Sequence, residues 1–131
     1  MIKKNKKFTI AIDGSSASGK TTGSKIISKE LKFKLLSSGK LYRYLAFQIL
    51  KNKKKYNQKY IRIQSKKITF QKLKNKKLDN PEITKLASTI AKKKYLRNEL
   101  KKFQINFINR NNKVIIEGRD IASKIMPDAD L

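Results

Sequence analysis

Residues 14 to 21 read Gly-Ser-Ser-Ala-Ser-Gly-Lys-Thr, and no other stretch constrains the chain as strongly. Gly14, Gly19, Lys20 and Thr21 satisfy the spacing G-x-x-x-x-G-K-[ST] of a phosphate-binding P-loop. The apolar run Phe8-Thr9-Ile10-Ala11-Ile12 precedes it and a helical pattern follows, which is the strand–loop–helix setting such a loop needs. Glycines let the backbone wrap closely around a polyphosphate. Successive N–H groups and a helix N-terminus then face the anion. The loop Gly14, Ser15, Ser16, Ala17, Ser18, Gly19, Lys20, Thr21 and Thr22 is therefore the candidate ATP-binding segment. Lys20 sets a point charge against the β- and γ-phosphates, and the Thr21 hydroxyl is suited to ligate Mg²⁺.

Composition narrows the chemistry further. A chain of 131 residues is expected to form a single domain, and it contains no cysteine or histidine. Disulfides, thiolate metal sites and histidine acid–base catalysis are thereby excluded. No segment reaches the length of a membrane span, and the basic N-terminus leads into a short strand rather than a signal-peptide core. A cytoplasmic protein is the default expectation. The net charge of +25 favours nonspecific polyanion or nucleic-acid binding at low salt. Lysine outnumbers arginine 29 to 5, however, and is spread along the whole chain, which argues for compositional bias over a specific interface. The few arginines mark places where a planar fork is needed to grip phosphate or a base edge. Arg43 and Arg119 stand out, after Ser38-Gly39 and within Glu117-Gly118-Arg119-Asp120.

Hydrophobic periodicity predicts a βαβα pattern. Phe8–Ile12, Phe33–Leu36 and Val114–Ile116 read as strands, the last buried on both faces. A helix is expected over Thr21–Leu31, with Ile27 and Leu31 on one face, and Ser37-Ser38-Gly39 reads as a turn. Leu41, Tyr44, Leu45, Gln48 and Ile49 mark the next helix, followed by a lysine-rich loop over 51–59. Ile61/Ile63 and Ile68/Phe70 alternate like a small hairpin around Ser65-Lys66. Asn80-Pro81 starts a helix through Ile83, Leu86, Ala87 and Ile90, and Leu96, Leu100, Phe103 and Phe107 stripe another.

Several collinear blocks resemble the bacterial cytidylate kinase family of P-loop nucleoside monophosphate kinases. They are the stretch from Ile10 to Thr21, Leu36-Ser-Ser-Gly-Lys-Leu-Tyr-Arg43, Asn80-Pro-Glu-Ile83 with Ala87-Ser88, and Tyr95-Leu-Arg97. Val114-Ile-Ile-Glu-Gly-Arg-Asp-Ile121 and Pro127-Asp-Ala-Asp130 complete the set. The resemblance implies an α/β fold: a P-loop NTPase parallel sheet flanked by helices, with a helical monophosphate-binding insert. A core over 1–36 and 113–131 with a monophosphate-binding region over about 37–112 is expected. The implied reaction is phosphoryl transfer from Mg-ATP to CMP or dCMP by an enzyme that is a monomer when complete. Lys20 and Arg119 take the catalytic roles. Arg43 and Arg119 hold the acceptor phosphate, Ser38 lies beside the sugar, and Ser88, Arg97 and Asp120 read cytosine. A carboxylate accepts from the N4 amino group while serine and arginine donate to ring acceptors.

Glu117 can position magnesium's water shell or serve only as a strand-end carboxylate, and Asp13 is a loop carboxylate of open role. Ser37 stands where the family usually has aspartate, and Lys40 replaces a small residue. The chain stops at Leu131, where the family enters a fourth core strand and then an arginine-rich lid, so the resemblance implies that the C-terminal strands and lid are missing. Phe8–Ile12 is then expected to be a sheet edge with an unpaired backbone, and the chain poorly active alone. Two other readings share parts of this pattern: another P-loop small-molecule kinase, and a basic polyanion-binding module. They separate on Lys20. Lys20→Ala is expected to abolish measurable Mg-ATP binding while leaving low-salt RNA retention unchanged; parallel titrations of both ligands check this.

Overall fold

The computed structural model describes residues 8–13, 26, 28–119, 121, 125 and 129–131. Two compact units divide the chain, residues 1–38 with 104–131 and residues 39–103. The first is built on a parallel sheet of β1 (Phe8–Asp13), β2 (Lys34–Ser37) and β3 (Lys113–Gly118), in the order β1-β3-β2. The central position of β3 follows from its composition. Val114, Ile115 and Ile116 are all fully buried, as a strand covered on both faces requires. Ile115 pairs with Ile10 on one side and Leu35 on the other, and Ile116 with Ala11 and Leu36. Phe8 meets Phe33 edge-to-face, with centroids 5.9 Å apart. Residues 28–31 are helical; the rest of the predicted Thr21–Leu31 helix, including Ile27, lies outside the described residues apart from Ile26, also helical.

The outer edge of β1 differs from the expectation of an unpaired backbone. Leu131 bridges it in parallel fashion: its N–H donates to Thr9 O (3.2 Å) and its carbonyl accepts from Ala11 N–H (3.0 Å). The Asp130 N–H also donates to Thr9 O, and the Asp130 carboxylate accepts from the Thr9 N–H at 2.8 Å. The edge is thus engaged where residues 130–131 run beside it.

The second unit is helical. α1 (Ser38–Lys51) starts on the last residue of the first unit and continues here; α2 (Gln58–Lys66), two 3₁₀ turns (Lys72–Lys74 and Lys76–Asp79) and α3 (Pro81–Ile90) follow, then α4 (Lys94–Arg110), which runs on into the first unit. Leu41, Tyr44, Leu45 and Ile49 of α1 are buried, and the half-buried Gln48 accepts the Tyr60 hydroxyl on its carbonyl. The predicted turn at Ser37-Ser38-Gly39 does not exist, because Ser37 ends β2 and Ser38 begins α1 directly.

The predicted hairpin over Ile61–Phe70 is also absent; α2 runs through it to Lys66, and no strand follows before the 3₁₀ turn at Lys72–Lys74. The Asn57 side chain caps α2 by accepting from Tyr60 N–H at 2.8 Å. Ile61 and Ser65, four residues apart, are the buried pair, whereas Ile63 is exposed. Helical periodicity therefore decides the segment, and the apparent alternation came from two isoleucines that face differently. Asn80-Pro81 starts α3 as predicted, with the Asn80 side chain accepting from Glu82 N–H at 2.8 Å.

Two helix ends in this fold carry lysine in the left-handed region. Lys32 (φ 57°) follows the 28–31 helix, and the Phe33 N–H reaches back to Ser28 O. Lys53 (φ 57°) and Lys54 (φ 61°) follow α1, with the Lys54 N–H on Ile49 O. These are Schellman-type ends, where glycine is the usual residue.

Loss of a cap costs about 1 kcal/mol. Asn80→Ala is accordingly expected to lower the unfolding midpoint in urea with an unchanged denaturant slope, and Asn80→Asp to retain stability; equilibrium unfolding by circular dichroism measures both.

Candidate active site

Parallel pairing sends the C-terminal ends of all three strands to one side of the sheet, where open α/β folds bind ligands. Asp13 pairs in register with Gly118, and Ser37 with Glu117. The P-loop motif begins at the residue after Asp13, α1 begins at the residue after Ser37, and β3 ends at Gly118 with a bend at Arg119. Sequence-predicted residues of the first unit therefore gather here: Ser38, Glu117, Arg119 and Asp13. The loop Gly14 to Thr22, with Lys20 and Thr21, and Asp120 lie outside the described residues.

The turn after β3 is pinned at both ends. A Cβ added to Gly118 would lie 2.7 Å from Ser38 Cβ and 3.0 Å from Ile121 Cδ1, so only glycine allows this approach. At the other end Ile121 is buried, and its N–H donates to Asp13 Oδ1 at the tip of β1. Arg119 lies between these anchors, exposed and in no ion pair among the described residues. Glu117 is buried at the end of β3, beside Ser37 and Ile12 in register.

The second unit carries the remaining candidates. Arg43 lies on α1 and is half-buried; its Nε is fully enclosed and has no hydrogen-bond partner among the described residues. An enclosed guanidinium nitrogen without an acceptor is costly, of order 1–3 kcal/mol, unless an anion meets it. Arg97, on α4, caps the end of α3: its Nη1 donates to Ala91 O and Lys92 O, both at 3.0 Å. Part of its fork is thus held in place. Tyr42 faces it. Burial pushes the Tyr42 phenol upward from its ordinary value, and the Arg97 charge draws it back in part. Tyr42 was not singled out from sequence, because a tyrosine within an amphipathic helix carries no chemical signature of its own.

Ser88 is exposed on α3, and its hydroxyl donates to Thr84 O at 3.2 Å. In this arrangement its oxygen is open as an acceptor; the expected donation to a ring atom requires the hydroxyl to leave Thr84. Glu99, buried on α4, also escaped the sequence reading. It pairs with Arg62 and Lys102, each at 3.6 Å, which assigns Arg62 a structural role.

Among the described residues no group of three or more His, Cys, Asp or Glu gathers to hold a metal, and no helix is long and apolar enough to cross a membrane. The oxygen donors at this end of the sheet still suit magnesium. They are the Glu117 carboxylate and, in the sequence, the Thr21 hydroxyl. Magnesium commonly rides on substrate phosphates with one or two protein oxygens.

A parallel sheet flanked by helices, with a P-loop motif directly after its first strand, defines a P-loop fold of the nucleoside monophosphate kinase type. The cytidylate kinase family model matches residues 10–131, and the chain belongs to that family. Cytidylate kinases of Rickettsia rickettsii (strain Sheila Smith) and Rickettsia felis are each 38% identical to it, over 124 and 125 residues. That of Rickettsia akari is 35% identical over 126 residues. The matches cover 95–96% of this chain and 56–57% of the relatives, so the chain spans little more than half their length.

The contact of Gly118 with Ser38 is testable. Gly118→Ala forces β3 and the start of α1 apart, and overpacking of this kind costs about 1–3 kcal/mol. Thermal unfolding beside the wild-type chain is expected to show the loss.

Proposed function

We propose that the chain carries the nucleotide-binding machinery for phosphorylating CMP and dCMP at the expense of ATP, giving CDP or dCDP and ADP. The observation that carries this reading is the pinned turn at Gly118–Ile121. It holds an exposed arginine, in no ion pair among the described residues, at the C-terminal end of a parallel sheet beside the strand that leads into the P-loop. The matched relatives, all named cytidylate kinase, support the same acceptor.

In-line phosphoryl transfer asks little covalent chemistry of the protein. The P-loop amides and Lys20 hold the donor phosphates, and Thr21 supplies a hydroxyl for magnesium, which neutralises charge on the transferring group when bound. Arg119 and Arg43 grip the acceptor phosphate, as the family pattern implies. Ser38 lies beside the sugar. Asp120 accepts from the cytosine amino group, Arg97 donates to the ring acceptors, and Ser88 lies at the same polar edge. Uracil places a carbonyl against the Asp120 carboxylate, lone pair to lone pair.

Mispairing buried polar groups costs about 1–3 kcal/mol, so CMP is expected to bind the full chain tens-fold more tightly than UMP. Arg43→Ala and Arg119→Ala are each expected to weaken CMP by about 1.5–3 kcal/mol and to leave cytidine unaffected. Replacing Lys54 and Lys55 is expected to reduce low-salt RNA binding and spare CMP. Isothermal titration with CMP, UMP, cytidine and, at low salt, RNA measures all three. Equal affinities for CMP and UMP, or lysine effects as large as the arginine effects, would replace this reading with bulk electrostatics.

A further inference from the structure

We propose that Asp13 is a positioning residue that acts through Arg119, and that its contribution is a hydrogen-bond acceptor rather than a charge or a metal ligand. This rests on the reading of Arg119 as a ligand of the acceptor phosphate. The turn after β3 leaves the sheet at Gly118 and is recaptured at Ile121. Only three residues after the glycine, the chain is fixed again by burial of the Ile121 side chain and by its N–H on Asp13 Oδ1. Asp13 and Gly118 are register partners, so the carboxylate reaches the turn from the neighbouring strand, across 108 residues of sequence. Gly118 meanwhile is pressed against Ser38.

The backbone that carries Arg119 is thereby held from both sides, by Asp13 at the end of β1 and by Ser38 at the start of α1. A long guanidinium side chain binds phosphate well only if its backbone origin is fixed, because the geometry of its fork is otherwise averaged away. Asp13 is also the last residue before the P-loop motif. One carboxylate thus ties the start of the donor-phosphate loop to the turn that bears the acceptor-phosphate arginine.

The exchange Asp13→Asn keeps an acceptor oxygen at the same reach and removes the charge; Asp13→Ala removes both. The full chain is titrated with CMP and with cytidine in four forms beside wild type: D13A, D13N, R119A and the double variant D13A/R119A. Positioning through a hydrogen bond predicts that D13A weakens CMP about tenfold with cytidine unchanged, and that D13N stays within about threefold of wild type. In the R119A background, D13A is expected to add less than about twofold, because groups that act as one unit are not additive. The amide resonance of Ile121 reports the bond itself, independent of ligand. Its exchange protection is expected to fall in D13A and persist in D13N.

Full additivity of D13A and R119A would overturn the proposal, as would a D13N variant as impaired as D13A, or Ile121 protection that ignores Asp13. An R119A variant with unchanged CMP affinity would instead remove the phosphate role of Arg119, and the proposal with it. D13A without effect on CMP, beside an impaired R119A, would leave the phosphate reading standing and refute the role given to Asp13.

Discussion

The parallel ladder on both sides of β3 is the constraint on which the first unit depends. Three consecutive residues, Val114, Ile115 and Ile116, are buried without remainder, and each such side chain contributes about 1.5–3 kcal/mol. Because the strand is held from β1 and β2 at once, its exit is fixed in register with theirs. Glu117, Gly118 and Arg119 inherit that position. An apolar run thus decides where the polar chemistry stands, and a shift of β3 by one residue would turn every side chain on it to the other face.

Charge plays a smaller part in shape than its size suggests. Most lysines are exposed, and the described ion pairs centre on one buried carboxylate, Glu99, between Arg62 and Lys102. The arginines divide by task. Arg62 serves Glu99, Arg97 closes the end of α3, and Arg110 ends α4, where the helix dipole favours a cation. Arg43 and Arg119 have no such structural employment in the described residues, and these are the two that the sequence pattern associates with the acceptor phosphate.

The sheet and the ends of its strands were legible in sequence because their signals are local: unbroken apolar runs, a glycine-rich loop, and an Asn-Pro helix start. The segment from Ile61 to Phe70 was not. Its alternation has the period of a strand, and the deciding facts are the Asn57 cap and the burial of Ser65, a polar residue on the inner face of α2. The turn assigned to Ser37-Ser38-Gly39 failed for a similar reason, since β2 passes into α1 without a connecting residue. The tie from Asp13 to Ile121, the pairing of β1 with Leu131 and the approach of Tyr42 to Arg97 join residues far apart in the chain. No window of sequence contains both partners. The nine positions of the ATP-binding motif and Asp120, by contrast, rest on their spacing and on the family pattern, being outside the described residues.

The left-handed lysines at the helix ends say something about what the chain's composition has displaced. A non-glycine residue in that conformation costs about 1 kcal/mol or more, and Lys32, Lys53 and Lys54 all bear it where glycine or asparagine sits without strain. The chain has five glycines, Gly14, Gly19, Gly23, Gly39 and Gly118. Four of them lie inside the P-loop, Ser-Gly and Glu-Gly motifs, and the fifth follows the P-loop closely. At Gly118 a Cβ would collide with Ser38 and Ile121, whereas Lys32, Lys53 and Lys54 are exposed, so the helix ends have room for a side chain and the end of β3 has none.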